Sequence, residues 1–133
     1  MLTKQVIVVR KDLRLRRSEI ASIVANASMK FLLEADTSSR NDKLKIDLTE
    51  EESSWIAGDS RRIILGAPSE GTLQSIMTRS EAAGLTTCPQ YRLSRDPEQK
   101  EISGGEFEQL IAVAIGPHED AQIDPITSRL KLL

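Results

Sequence analysis

The sequence has few of the residues that build disulfides and metal sites. Its 133 residues include one cysteine, Cys88, and one histidine, His118. A lone cysteine excludes a disulfide within the chain. The usual nitrogen and sulfur ligands of zinc are also too few, unless several carboxylates join them. No carboxylates have the spacing of such a site, so we expect no bound metal.

Two further absences concern cofactors and nucleophiles. None of the seven glycines follows a predicted strand in the spacing of a phosphate-binding loop, so we expect no cofactor. His118 follows Gly116 and Pro117, and we predict a solvated turn residue there rather than a general base. No serine has the strand–turn–helix setting of a nucleophile that could pair with it.

Long apolar runs are absent too. No run is long enough to cross a bilayer and no signal-peptide pattern is present, so we expect a cytoplasmic protein with no membrane partner. Aromatic residues are only 3% of the chain against 39% hydrophobic residues, which predicts an aliphatic core. Trp55 is interpreted as an anchor onto that core rather than as a base-stacking residue. At this length we expect one domain over residues 1–133.

The net charge of −2 hides a local excess of positive charge. The first 17 residues carry six basic side chains and one acidic one, which gives +5 there and −7 on the rest of the chain. Arg14, Arg16 and Arg17 come just before a predicted helix, whose N-terminus also favours anions. They are candidates for contacts with RNA phosphates, and a solvated loop that happens to be basic is the alternative.

Hydrophobic periodicity predicts alternating strands and helices. Strands are predicted over residues 5–10, 61–67, 88–93 and 108–115, with a short edge strand over 43–48. Helices are predicted from Ser18 as N-cap to about Ala35, over 49–57, over 69–83 before Gly84, and over 119–123 before a break at Pro125. The apolar residues 130–133 are expected to dock.

This order predicts an α/β fold of three layers, α/β/α, with a four-stranded mixed sheet. Within residues 5–10 the run Val6-Ile7-Val8-Val9 is continuously apolar, which is typical of a strand covered by helices on both faces. Together with 108–115 it is expected at the centre of the sheet. The strand over 88–93, interrupted by Pro89, is expected at an edge. The loop between the last two long strands has no room for a crossover helix, so these strands are predicted to be antiparallel.

Taken together, these segments resemble the archaeal- and eukaryotic-type (type 2) peptidyl-tRNA hydrolases over nearly the whole chain. The resemblance implies that family's four-stranded mixed sheet, hydrolysis of the ester between a peptide and tRNA, tRNA or peptidyl-tRNA as partner, and a homodimer as candidate oligomer. It rests on the following stretches: Val6-Ile7-Val8-Val9-Arg10 with Asp12-Leu13, Ala27-Ser28-Met29 with Phe31-Leu32, Glu81-Ala82-Ala83-Gly84-Leu85, Ala114-Ile115-Gly116-Pro117, Ile123-Asp124-Pro125-Ile126-Thr127 and Leu130-Lys131-Leu132-Leu133.

The signature that the family carries at the start of helix one is altered. Family members have Gly-Lys-x-x-Ala-Gln-x-x-His-Ala, and this chain has Glu19 for the lysine, Ile23 for the glutamine and Asn26 for the histidine. A lysine there can hold a phosphate or stabilise charge on the scissile carbonyl, and Glu19 has the opposite sign. Glu19 is also explained without a site, as a carboxylate in the first turn of a helix.

Two other signatures survive in part. Asp-Ala-Gly-Lys/Arg-Thr falls on residues 96–100, where Asp96 is kept, and Thr-Gly-His-Leu falls on 127–130, where Thr127 is kept. The resemblance therefore gives a candidate catalytic set of Asp96, Asn26, Thr127 and Glu19, in which Asp96 orients water with Asn26 and Thr127 nearby. An aspartate before a proline is also a common turn former.

Two hypotheses about function follow. In the first, the chain is a divergent peptidyl-tRNA hydrolase whose basic loop holds tRNA phosphates. In the second, it is a family-fold protein that has lost hydrolysis and binds RNA or a protein. The replaced residues of helix one favour loss or severe weakening of activity.

Overall fold

The computed structural model describes residues 1–36, 42–94 and 107–133. The described residues form one sheet in the strand order β3-β4-β1-β2-β5, together with four helices. The strands are β1 (Thr3–Arg10), β2 (Arg62–Ala67), β3 (Thr87–Ser94), β4 (Phe107–Glu119) and β5 (Lys131–Leu132). The helices are α1 (Arg17–Glu34), α2 (Glu50–Ala57), α3 (Glu70–Ala82) and α4 (Asp120–Thr127).

The strand β1 is buried on both of its faces. Val6 and Val8 belong to one core cluster and Ile7 and Val9 to another, as expected for side chains that alternate across a strand. The first cluster takes residues from α3 and α4, and the second takes residues from α1 and α2. The helices therefore cover the sheet in two layers, α1 and α2 on one face and α3 and α4 on the other.

The sheet is mixed, as predicted, but it has one strand more than predicted. β1 pairs in parallel with β2 and antiparallel with β4, and β3 pairs antiparallel with β4 at the edge. The fifth strand, β5, pairs with β2 through Leu65–Leu132 and Gly66–Lys131. A strand of two residues carries no periodicity, so the sequence could not reveal it. The edge strand predicted over 43–48 is wrong, because only a single bridge, between Asp36 and Ile46, forms there.

Some helix ends differ from the prediction. Arg16, rather than Ser18, is the N-cap of α1. α4 continues through Pro125 instead of stopping before it, because Ile123 and Ile126 are buried and hold both turns against the core. The prediction for α3 is confirmed, since Gly84 follows it with a φ of +74°.

The chain end docks mainly through its backbone. The Leu133 N–H donates to the Ile64 carbonyl at 3.1 Å, and Leu130 packs against the core. Leu132 nevertheless keeps 74% of its surface exposed. The prediction that these apolar residues dock is therefore right for Leu130 and for the backbone, and wrong for the Leu132 side chain.

His118 lies in β4, so the prediction of a solvated turn residue is wrong. Its Nε2 accepts a hydrogen bond from the Thr86 backbone N–H at 2.8 Å. This ring nitrogen is therefore unprotonated. The hydrogen bond holds Thr86, the residue before β3, against β4. Burial lowers the pKa of His118, against the opposing effect of Glu51 and Glu52.

Trp55 anchors α2 onto the core, as predicted. It is 4% exposed, and its ring meets Phe31 edge to face, with the ring centroids 5.9 Å apart. The indole N–H donates to the Arg61 carbonyl at 2.8 Å, just before β2 begins. The Arg62 guanidinium lies 4.7 Å from the centre of the ring. Trp55 thus joins α1, α2 and the start of β2.

An ion cluster fixes the carboxyl end of β1. Arg10, 9% exposed, donates from Nε and Nη2 to the two carboxylate oxygens of Asp12, at 3.1 and 2.7 Å. Its Nη1 donates to the Leu110 carbonyl at 3.2 Å, and Glu70 accepts from the Leu110 N–H at 2.9 Å. The hydrogen bond from Arg10 lowers the pKa of Asp12. The cluster ties the beginning of the basic loop to β4 and to the start of α3.

Replacing Trp55 by Ala should destabilise the protein by about 3–5 kcal/mol, because a buried aromatic ring leaves a cavity and the Arg61 carbonyl loses one of its two donors. Urea unfolding of both proteins would measure the difference. Ile56→Ala is the matched control, since Ile56 is in the same helix but is 43% exposed. Equal losses in the two variants would contradict the anchor role of Trp55.

Replacing Asp12 by Asn should lower the free energy of unfolding in a pH-dependent way. The ionised carboxylate stabilises the fold above its unfolded pKa of about 3.9, and that stabilisation is lost as the pH falls through the lower folded pKa. The difference in free energy of unfolding between Asp12→Asn and the natural chain should be largest near neutral pH. It should disappear in strong acid. Denaturant unfolding across this range would check it, with exposed Asp59→Asn as control. A difference that did not change with pH would exclude the ionic contribution.

Candidate functional site

A shallow groove lies between the first two turns of α1 and the edge strand β3. Its volume is about 410 Å³, and Ile23 and Ile111, both buried, lie beneath it. We call it the α1–β3 groove. Its lining residues are Ser18, Glu19, Ser22, Ile23, Gln90, Tyr91, Arg92 and Ile111. Two of the three altered positions of the helix-one signature, Glu19 and Ile23, thus line the groove.

Glu19 has one local contact and one contact across the groove. Its Oε1 accepts a hydrogen bond from the Arg16 backbone N–H at 3.2 Å, which caps α1. Its Oε2 lies 3.7 Å from Nη1 of Arg92 on β3. The two side chains are 44% and 38% exposed. An exposed pair at this separation contributes less than about 1 kcal/mol, so another charged group can replace either partner.

Three consecutive residues of β3 line the groove. Side chains normally alternate across a strand, but the pairing of β3 with β4 shifts register between Gln90 and Tyr91. Such an irregularity redirects side chains, which accounts for Gln90, Tyr91 and Arg92 all reaching one groove. The amide oxygen of Gln90 is buried and has no hydrogen-bond partner among the described residues.

The other predicted residues of α1 differ in how accessible they are. Ile23 is 8% exposed and belongs to the core cluster beneath α1, so it continues the apolar stripe of the helix. Asn26 is exposed on the same helix, seven residues after Glu19 and so about 10 Å further along the axis. It is not among the residues that line the groove.

The sheet separates Thr127 from Asn26 and Glu19. Thr127 is buried at the end of α4, where its hydroxyl donates to the Ile123 carbonyl at 3.4 Å. α4 packs on the cluster shared with α3, on the opposite face from α1. The structure therefore does not bring Thr127 together with Asn26, although both were expected near Asp96. Asp96 lies outside the described residues.

The three candidate arginines are exposed beside the groove. Arg14 lies in the loop after β1, with a φ of +51°, and Arg16 and Arg17 are the N-cap and the first residue of α1. Two other basic residues of this end have carboxylate partners, Lys4 with Asp124 at 2.5 Å and Arg10 with Asp12. The positive charge available to a ligand therefore lies in the loop and at the start of α1.

The β3 residues of the groove carry no sequence pattern that predicts a site. Gln90, Tyr91 and Arg92 lie in a strand recognised only by its composition, and strand periodicity gives no sign of the register shift. The one available signal was a polar, charged stretch in a predicted edge strand. Such a stretch is also typical of an edge that faces solvent, so it did not indicate a site.

The described residues offer neither a metal site nor a membrane span. No three side chains of His, Cys, Asp or Glu among them are grouped so as to hold a metal ion. Across the same part of the chain, no helix combines the length and the apolar character needed to cross a membrane.

Comparisons with known proteins give the family. The family model for peptidyl-tRNA hydrolase PTH2 matches residues 3–133. A peptidyl-tRNA hydrolase of Haloquadratum walsbyi is 32% identical over 129 residues, 97% of this chain and 98% of that protein. One of Saccharolobus islandicus is 30% identical over 132 residues, 99% of this chain and 100% of that protein. One of Thermococcus onnurineus is 28% identical over 130 residues, 98% of this chain and 97% of that protein.

A solved structure shares the fold. It is a protein of unknown function from Agrobacterium, aligned with a TM-score of 0.57 at 15% identity over 100% of this chain and 98% of the other. At this identity the likeness concerns the fold alone. The family match covers almost every residue, and relatives of 30% identity or more span the same length. The chain therefore belongs to the PTH2 family of peptidyl-tRNA hydrolases.

Proposed function

We propose that the protein binds the acyl end of peptidyl-tRNA at the α1–β3 groove and hydrolyses its ester more slowly than relatives that keep the helix-one lysine. The main support is that the groove lies on the face of α1 where the family signature is found. The exposed arginines at the start of α1 lie beside it. Family membership supplies the substrate class, since the curated relatives are named peptidyl-tRNA hydrolases.

The reaction requires water to attack the ester carbonyl carbon. The water oxygen bonds to that carbon, the bond from carbon to the ribose oxygen breaks, and the ribose oxygen takes up a proton. The products are a free peptide carboxylate and a tRNA with a free terminal hydroxyl. We assign water orientation to Asp96, and we assign to Asn26, which lies further along α1 than the groove, hydrogen bonding to the part of the peptide that extends past it. We leave out Thr127, because the sheet lies between it and α1.

Electrostatics explain the expected weakness of hydrolysis. The oxyanion that forms on the carbonyl needs a positive donor, and Glu19 places negative charge on this helix face. Arg92 is the cation within the groove, but it faces Glu19 at 3.7 Å. Loss of a donor to a developing oxyanion costs roughly 3 kcal/mol, about a hundredfold in rate.

One observation favours the alternative of a binding module without hydrolysis. Glu19 caps its own helix through Arg16, so its presence is explained by local stability without any role in chemistry. In that case the arginines would still hold RNA phosphates and no turnover would be seen.

Removing the exposed arginines should weaken tRNA binding and reduce its dependence on salt. When tRNA binds a variant with Ala in place of Arg14, Arg16 and Arg17, fewer counterions are released from the tRNA, because fewer of its phosphates are neutralised. Fluorescence anisotropy with tRNA at several salt concentrations would give both quantities. The matched control removes three positive charges elsewhere, at Arg79, Arg129 and Lys131. Unchanged affinity and salt slope in the first variant would exclude the basic loop as the phosphate contact.

Restoring the family residues that the fold can accept should raise the rate of peptidyl-tRNA hydrolysis. Ile23 is buried, so the informative variant is Glu19→Lys with Asn26→His, and we expect it to hydrolyse peptidyl-tRNA about tenfold faster or more. Adding Asp96→Ala should abolish the gain. Release of labelled peptide from peptidyl-tRNA would measure both effects.

The control for this variant is Glu81→Lys with Asn26→His, which makes the same charge change on the exposed end of α3. Thermal unfolding of each variant would show that the fold persists. If the natural chain already hydrolyses peptidyl-tRNA as fast as a relative with the lysine, weakened activity is ruled out. If no variant gains activity, the altered residues of helix one are ruled out as the cause of the weakened hydrolysis.

A further inference from the structure

Arg92 is the only cation among the described residues that line the α1–β3 groove. The three candidate arginines lie beside the groove and do not line it. Beneath the groove, the apolar side chains of Ile23 and Ile111 are buried. A charge above an apolar floor is screened less than one surrounded by water. A group inside the groove is therefore exposed to positive charge from β3 rather than from α1.

The Arg92 guanidinium has unused hydrogen-bond donors. A guanidinium carries five N–H donors, and the contact with Glu19 involves only Nη1. The separation of 3.7 Å is longer than the roughly 2.7–2.9 Å of a hydrogen-bonded charge pair. Within the described chain, the Arg92 side chain makes no other ion pair. It is also 38% exposed, so its remaining N–H groups can donate to a ligand in the groove.

The sheet holds Arg92 in place. Its backbone pairs with Gln109 of β4, just after the register shift that follows Gln90. A side chain carried by a strand is positioned more precisely than one carried by a loop. Donors that are already in position contribute most to stabilising a charge that develops during a reaction. Arg92 therefore has the charge and the rigid support to act on a group that becomes negative in the groove.

We propose that Arg92 is a catalytic residue of the ester hydrolysis, and that its guanidinium donates hydrogen bonds to the oxyanion formed on the ester carbonyl. The assignment rests on the proposed function, because it names the cation for the same reaction in the same groove. When the water oxygen bonds to the carbonyl carbon, an electron pair of the C=O bond moves onto the carbonyl oxygen. The pair returns when the bond to the ribose oxygen breaks. Arg92 stabilises the negative charge in between, and it neither gains nor loses a proton.

Glu19 limits how strongly Arg92 can act. Its carboxylate attracts the guanidinium and repels an oxyanion, so it lowers the rate without removing the donor. Arg92 thus accounts for hydrolysis that is slow rather than absent. A neutral residue in place of Glu19 should leave more of the positive charge to the substrate. Glu19→Gln makes this change without uncapping α1, since the amide oxygen can still accept from the Arg16 N–H.

The main test replaces Arg92. The full chain and each variant are given a tRNA charged with labelled N-acetylphenylalanine, and kcat and KM are measured from release of the labelled acid. We expect Arg92→Gln to lower kcat by about tenfold to a hundredfold, with KM changed by about twofold or less. Arg92→Lys keeps a positive charge and should be at least about threefold faster than Arg92→Gln. Arg129→Gln, the same change at an exposed arginine after α4, should keep the natural kcat.

A second test measures the coupling between Arg92 and Glu19. Glu19→Gln should raise kcat about threefold or more, and the gain should disappear when Arg92→Gln is added. A gain that persists without Arg92 would remove the guanidinium from the reaction. Thermal unfolding of every variant would measure changes in stability separately.

Other results would also overturn the proposal. If the natural chain hydrolyses the ester and Arg92→Gln keeps its kcat, Arg92 is not the donor and the proposed function stands. A rise in KM with an unchanged kcat would place Arg92 on a phosphate, or on another group bound equally before and during the reaction. Equal losses of kcat in Arg92→Gln and Arg92→Lys would show that the positive charge is not what acts. No hydrolysis by the natural chain above the spontaneous rate would overturn this assignment and the hydrolytic function together.

Discussion

The fold depends on burying β1 on both of its faces. Its side chains alternate between two core clusters, so helices must cover the sheet on either side, and each helix belongs to one layer or the other. This division decides which polar residues can meet. It puts α1 beside β3, where Glu19 and Arg92 face each other, and it puts Thr127 on the other side of the sheet. Glu19 and Thr127, which come from two different family signatures, are thereby kept out of each other's reach.

Glu19 combines a local role with a place in the groove. The contact that caps α1 uses one carboxylate oxygen and leaves the other directed to Arg92. A residue that stabilises its own helix can persist while the chemistry beside it changes, because losing it would cost the cap as well. The charge of the groove is thus coupled to the stability of the helix that forms one of its walls.

Local patterns predicted most of the architecture, and contacts between distant residues account for the rest. The strands with continuous apolar runs and the end of α3 before Gly84 have local causes, so the sequence reveals them. β5, the bond from Thr86 to His118 and the layer occupied by Thr127 depend on partners far along the chain. Of the site, both α1 and the edge strand β3 were predicted, but the part that β3 plays in the groove was not, because its register shift leaves no periodic trace.

The two edges of the sheet bear on how copies of the protein can associate. β5 offers only two residues for pairing, and β3 contains Pro89, which has no N–H to donate. The Lys30 ammonium already donates a hydrogen bond to the Pro89 carbonyl, with Nζ and the oxygen 2.9 Å apart. Within the described chain, neither edge is therefore a good template for adding a strand from another molecule, which protects the protein from sheet-to-sheet aggregation while it is folded.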